Sequence, residues 1–313
     1  MPPGVLALVA VAAVLHASWN VILKGSGDPL ATAVRAMVGS SFVAVPVAVG
    51  GWLVAGGPTI PPVAWACGIA SGALECIYFA LLASAYRRGG VSVVYPVARG
   101  TAPLLTVAIG VLVLGERLSP EALVGVGLLV LGLLTILRPW RALTARRGGG
   151  RAGDGGGGGS RGPLGGLDPA VGFALATGVA VATYSAIDSI GAKATLPIVY
   201  SGIFYPIGAV LLVLWARYVD PRLAGAAGRE PGAPWGRATM AGLFTFGGYL
   251  LILTAYSVAP LAVVSPLRES AIVLGAGWAS FRMGEATDRR DGLRRTAGAA
   301  IVVLGAILIG LGG

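Results

Sequence analysis

Two stretches decide the fold: YRRGGVSVVYPVARG at 86–100 and YSVAPLAVVSPLRES at 256–270. Each runs from a tyrosine through a short turn into an apolar segment, and then to a proline with an arginine two or three residues on. Aligning Tyr86 with Tyr256 aligns Pro96 with Pro266, at an offset of 170 residues. Further along, Gly115-Glu116 matches Gly284-Glu285 at an offset of 169. Near the start of each half, His16 and Asn20 match Tyr184 and Asp188 at an offset of 168. An offset that drifts so little along the chain marks a duplication.

Outward from these stretches the chain is a series of apolar runs. Of its 313 residues, 56% are hydrophobic and 12% charged, with a mean hydropathy of +0.82. Soluble domains carry about 25% charged residues. Runs of about 20 apolar residues are the length of a membrane-crossing helix. Ten are expected: 3–23, 32–54, 63–86, 91–114, 120–138, 169–191, 197–219, 236–258, 261–283 and 293–312. The first is read as a membrane helix and not a signal peptide, because no basic residue precedes it and no small-residue cleavage site follows. The expected fold is an all-α polytopic membrane protein of ten transmembrane helices, arranged as two five-helix repeats.

Most gaps between runs are short. The exception, 139–168, is rich in Gly and Arg and has almost nothing to bury, so it reads as a disordered linker. A phosphate-cradling glycine loop needs a preceding strand and a following Lys-Ser/Thr, and neither is there. The expected units are therefore 1–138, the linker 139–168, and 169–313. Five spans per repeat is an odd number, so the second copy must lie upside-down relative to the first. Inverted repeats of this kind are a transporter architecture, with a solute site near the midplane between the halves.

The net charge of +10 is a topology signal here, not a mark of nucleic-acid binding. Of the 23 Lys and Arg residues, nineteen lie on the side of the odd-numbered loops, including the linker. Arg117 and Lys193 lie on the other side with both termini, and Arg99 and Arg268 lie inside spans. The positive-inside rule then places the odd loops in the cytoplasm of an inner (cell) membrane and both termini outside. The two cysteines, Cys67 and Cys76, share one apolar run and imply neither a disulfide framework nor a metal site. No cofactor motif and no nucleotide-binding motif is present, so ATP is not expected as a direct driver.

The duplicated tyrosine–proline–Gly-Glu pattern resembles the drug/metabolite transporter superfamily, in its EamA-type ten-helix branch. The residues that carry the resemblance are LHASWNVILK at 15–24, VYPVARGTAPLL at 94–105, LGERLSPEALVGVGLLVLGLL at 114–134 and VVSPLRESAIVLGAGWASFRMGE at 263–285. The HASWN and YPVARG strings are similar to a bacterial subgroup described as associated with phosphonate utilisation. The resemblance implies a permease for small solutes. It also implies cytoplasmic termini, which the charge distribution opposes; the charge distribution is followed here.

Ionisable residues inside a bilayer are costly, by about 2.5–3.5 kcal/mol each on insertion scales, and so default to functional candidates. Arg99 lies about two turns into span 4, and Arg268 and Glu269 lie at the equivalent depth in span 9. Each follows a proline, which kinks the helix and frees a backbone carbonyl beside a potential cavity. The guanidinium groups suit a carboxylate or phosphonate. The competing reading is internal pairing, Arg268 with Glu75 or Arg99 with Glu269. Glu75, mid-span in helix 3, is a candidate proton carrier or an arginine partner. His16, the only histidine, is a candidate relay or a satisfied hydrogen-bonding group. Trp19 reads as an interface marker and Asn20 as a hydrogen-bonding residue. Tyr184 and Asp188 are the second-half counterparts of His16 and Asn20, with Asp188 expected to be solvated near its span end. Tyr78, Tyr95, Tyr205, Tyr249 and Tyr256 are candidate cavity walls. Glu116 and Glu285 read as caps or loop contacts, and Gly68, Gly72, Gly125 and Gly132 as close-packing positions.

The expected function is a secondary transporter of a small anionic or zwitterionic metabolite working by alternating access, with protons as a candidate coupling ion. The expected partners are the solute and the lipid bilayer. A receptor or assembly protein without transport activity is the alternative. An intramembrane enzyme ranks below it, because one histidine and no paired acidic motif supply no nucleophile–base set.

Overall fold

The computed structural model describes residues 3–24, 29–88, 91–137, 168–219, 232–269 and 289–311. These form ten α-helices: α1 Pro3–Lys24, α2 Pro29–Val54, α3 Pro62–Arg88, α4 Val91–Ala108, α5 Pro120–Leu137, α6 Pro169–Ala194, α7 Pro197–Tyr218, α8 Trp235–Val258, α9 Leu261–Glu269 and α10 Arg289–Leu311. Six begin on proline, whose fixed φ and missing N–H suit a helix's first turn. Asp168, expected as the last linker residue, instead caps α6: its carboxylate accepts from the Ala170 N–H at 2.9 Å. The rest of the expected linker, 139–167, lies outside the described residues, as does 270–283 of the ninth span.

Five described stretches are long and apolar enough to cross a membrane: Ala31–Val54, Pro62–Leu82, Pro169–Ala194, Pro197–Tyr218 and Trp235–Val258. Four more helices are apolar over shorter stretches, among them Gly4–His16 and Val97–Val113. Many large apolar side chains point outwards, with Phe42 77% and Leu112 81% exposed. The interior is instead rich in Ala, Gly and Ser. That distribution is what a lipid-facing surface and close helix contact require.

The four glycines read as packing positions do pack closely. A Cβ on Gly68 would lie 2.6 Å from Ile203, and one on Gly72 would lie 2.8 Å from the Phe204 carbonyl. A Cβ on Gly125 or Gly132 would meet the backbone of Gly305 or Gly298 at 2.8 and 2.7 Å. These four positions let α3 sit on α7, and α5 on α10.

Packing runs mainly between the halves: α5 with α10, α3 with α6 and α7, α1 with α8, α2 with α7 and α8, and α4 with α6 and α9. Exchanging each helix for the one five places along in chain order largely reproduces this pattern. The pairs α2–α7, α4–α9 and α5–α10 map onto themselves. The pair α1–α8 maps onto α6–α3, and α2–α8 onto α7–α3. Neither half therefore encloses a core alone, and polar groups deep in the molecule are shared between them.

Candidate functional site

Among the described residues, a buried ionic cluster joins α4, α9 and α1. Arg99 Nη1 of α4 donates to both Glu269 oxygens, at 3.3 and 3.1 Å. Arg268 grips the same carboxylate from α9 itself, through Nε at 3.2 Å and Nη2 at 3.0 Å on Oε1. Glu269 is 3% exposed, and the two arginine side chains are 16% and 10% exposed. Arg99 Nη2 also approaches His16 Nε2 of α1 at 3.4 Å. Arginine has only donors, so His16 Nε2 must accept in that contact. Two guanidinium groups on one carboxylate leave one positive charge in excess within the triad.

A second polar group lies across an aromatic bridge. Arg268 stands 6.0 Å from the centre of the Tyr249 ring. The Tyr249 hydroxyl donates to Asp188 Oδ2. Tyr200 donates to the other carboxylate oxygen at 2.7 Å. Tyr184, one turn before Asp188 on the same face of α6, makes edge-on contacts with Tyr249 at 6.3 Å and Tyr78 at 6.2 Å. The α3 face carrying Tyr78 also carries Glu75, whose Oε2 is buried with no hydrogen-bond partner among the described residues. That oxygen lies beside Gly208 of α7, where a Cβ would meet it at 2.9 Å.

Five helices from both halves (α1, α3, α4, α6 and α8), together with α7 and α9, thus converge on one buried polar region. Residues 3–138 match the EamA-like transporter family. The EamA-like match and the apolar helices together make the chain a multi-pass membrane protein. A solved structure titled only "Crystal structure of protein" superposes with a TM-score of 0.70 over 98% of each chain, at 18% identity. That likeness extends to the second half but speaks for the fold alone. No curated protein matches by sequence.

Within this helical framework, the structure brings together Arg99, Arg268, Glu269 and His16, and beside them Tyr184, Tyr249 and Glu75. The side chains of Asn20 and Tyr95 lie outside the described residues. Of the two pairings expected from sequence, Arg99–Glu269 forms and Arg268–Glu75 does not, because Arg268 turns to its own neighbour Glu269.

Three expectations are corrected. Asp188 is fully buried, not solvated, because α6 runs on to Ala194 and leaves it more than a turn inside the helix. Trp19 is only 8% exposed, with its indole nitrogen buried and without a hydrogen-bond partner among the described residues, so it is not a lipid-interface marker. Tyr205 and Tyr256 are packed core residues rather than cavity walls. Tyr205 takes a hydrogen bond from Ser40 at 3.0 Å, which is structural. Tyr200 belongs to the polar cluster through its bond to Asp188 and is a residue that sequence reasoning misses. Its one hint is a position just after the α6–α7 turn, where it can fold back on Asp188. A separate apolar groove of about 580 Å³, lined by Phe42, Pro46, Pro206 and Leu214 between α2 and α7, carries no ionisable residue.

Proposed function

We propose that this protein is a secondary transporter that carries a small zwitterionic or anionic metabolite across an inner (cell) membrane by alternating access. The observation that carries this reading is the Arg99–Glu269–Arg268 triad, because it is buried, is assembled from both halves and adjoins further polar groups. A cluster whose members come from two repeats changes shape when the repeats rock against each other. The exchange symmetry of the helix contacts supports a two-fold relation of the two repeats, and five spans in each would make that relation an inverted one. Residues 1–138 and 169–313 are the two repeats in this reading, joined by the Gly- and Arg-rich segment 139–168. The concentration of Lys and Arg on the odd loops supports cytoplasmic odd loops and outward termini.

The charges favour a zwitterion over a simple anion. The triad holds one excess positive charge, which suits a carboxylate or another anionic group. Across Tyr249 stand Asp188 and the Glu75 oxygen that has no partner among the described residues, which suit an ammonium group. With both guanidinium groups already on Glu269, nothing in the cluster favours a phosphonate over a carboxylate. Glu75 and His16 are also the candidates for carrying a coupling proton.

The test is counterflow in proteoliposomes holding the purified protein, with a panel of labelled amino acids, organic acids and amines. Saturable exchange of one class, lost in Arg268→Ala, supports the reading. No exchange by any member, from protein that is well folded, favours the alternative of a receptor or assembly protein.

A further inference from the structure

Below the π-helical turn Ile109–Val113, which continues α4, the chain makes an unusual reach. The wider turn sends the Leu114 N–H to the Ile109 carbonyl and the Glu116 N–H to the Gly110 carbonyl, both at 2.9 Å. Gly115 takes a positive φ of 65°, which glycine adopts without strain. The Glu116 side chain is thereby turned back across the halves. Its two oxygens accept the first two N–H groups of α9, Leu261 at 2.6 Å and Ala262 at 2.9 Å. These are orphan donors at a helix's positive end, where a carboxylate is favoured. The fit depends on Gly110. A Cβ there would collide with Glu116 Oε2 and lie 2.9 Å from the Ala262 Cβ. Lys193, at the end of α6, stands 4.0 Å from the same carboxylate and is half exposed.

We infer that Glu116 is a clamp between the halves. It closes the end of the pathway on the even-loop side, holds α9 in the register that brings Arg268 and Glu269 onto Arg99, and must release α9 for that end to open. The inference rests on the alternating-access reading. Arg268 and Glu269 follow Leu261 by about two turns, so a shift at the start of α9 is carried rigidly to the triad. Release does not strand the carboxylate, since Lys193 remains beside it. Glu116 is a positioning residue: it touches α9 and not the triad.

The experiment reads opening without needing a solute. In a chain with Cys67 and Cys76 replaced by alanine, a single cysteine is placed at Ala262, or at the equally buried Leu129 of α5 as a control. Modification by a membrane-impermeant maleimide is timed in the full-length protein in proteoliposomes. With Glu116 intact, labelling at 262 is slow. Loss of two charge-assisted bonds in Glu116→Ala raises it by about tenfold and leaves 129 unchanged. Glu116→Gln, which keeps one strong acceptor oxygen, falls between and carries the test if the alanine variant fails to fold. An unchanged rate at 262 overturns the clamp, and so does an equal rise at 262 and 129, which would mean general loosening. Because no transport is measured, failure here is distinct from failure of the transporter reading.

Discussion

Removing the charge of Glu269 is the sharpest perturbation available. In the wild type, one carboxylate is shared by Arg99 and Arg268, and all three side chains are largely buried. Glu269→Gln keeps the shape and removes the anion. Two guanidinium groups then face a neutral amide in place of their shared anion, and stripping a partner from a buried ion pair costs about 3–5 kcal/mol. Arg99→Met should behave differently. It leaves Arg268 and Glu269 as a neutral pair and removes the excess charge, so the lost hydrogen bonds are partly offset by a desolvation cost no longer incurred. Its expected cost is below about 2 kcal/mol. The double variant should cost at least about 1 kcal/mol less than the sum of the singles, as expected for residues in one network. Reversible unfolding in mixed micelles of lipid and denaturing detergent, followed by circular dichroism, measures all three. If Glu269→Gln costs no more than Arg99→Met, or if the two effects simply add, the shared-carboxylate account is wrong.

Gly132→Ala should destabilise by about 1–3 kcal/mol in the same assay, since its Cβ would press on the Gly298 carbonyl and α5 and α10 could not both stay in place. A methyl group on Gly127 would meet nothing within 4 Å, so Gly127→Ala should be neutral or slightly stabilising. Tyr249→Phe should cost about 1–3 kcal/mol by leaving one Asp188 oxygen short of its donor; Tyr249→Phe in an Asp188→Asn background should cost less, and equal costs would refute the bond. Arg294→Ala frees the Ile136 carbonyl at the end of α5, so hydrogen exchange there should speed up while the triad residues stay protected. If Glu75 or His16 carries a coupling proton, Glu75→Gln or His16→Ala should abolish the dependence of exchange on an imposed pH gradient. Intact dependence in both variants rules that role out.

What the sequence determined alone was what local pattern can encode. Apolar runs of bilayer length set the number and order of helices, and a near-constant offset pointed to two similar halves. Position along each helix followed from counting residues, so Arg99, Arg268 and Glu269 were legible as candidates at matching positions in two spans. Glu116 was legible as a cap or loop contact, because Gly-Glu at a helix end is a turn with an acceptor in it. The partners were not legible. Arg268 had two carboxylates in reach on paper, and only the packing of α9 on α4 assigned both arginines to Glu269 and left Glu75 to Gly208. Hydropathy ends α6 early and makes Asp188 look solvated, whereas the turn at Thr195 and the fold-back of Tyr200 extend the helix and bury it. A one-dimensional pattern places a residue along its helix, and near a helix end, as at Asp188, even that is not enough to tell buried from solvated. Which neighbour it faces depends on the rotation and separation of helices, and here that is set by glycine contacts between halves more than a hundred residues apart.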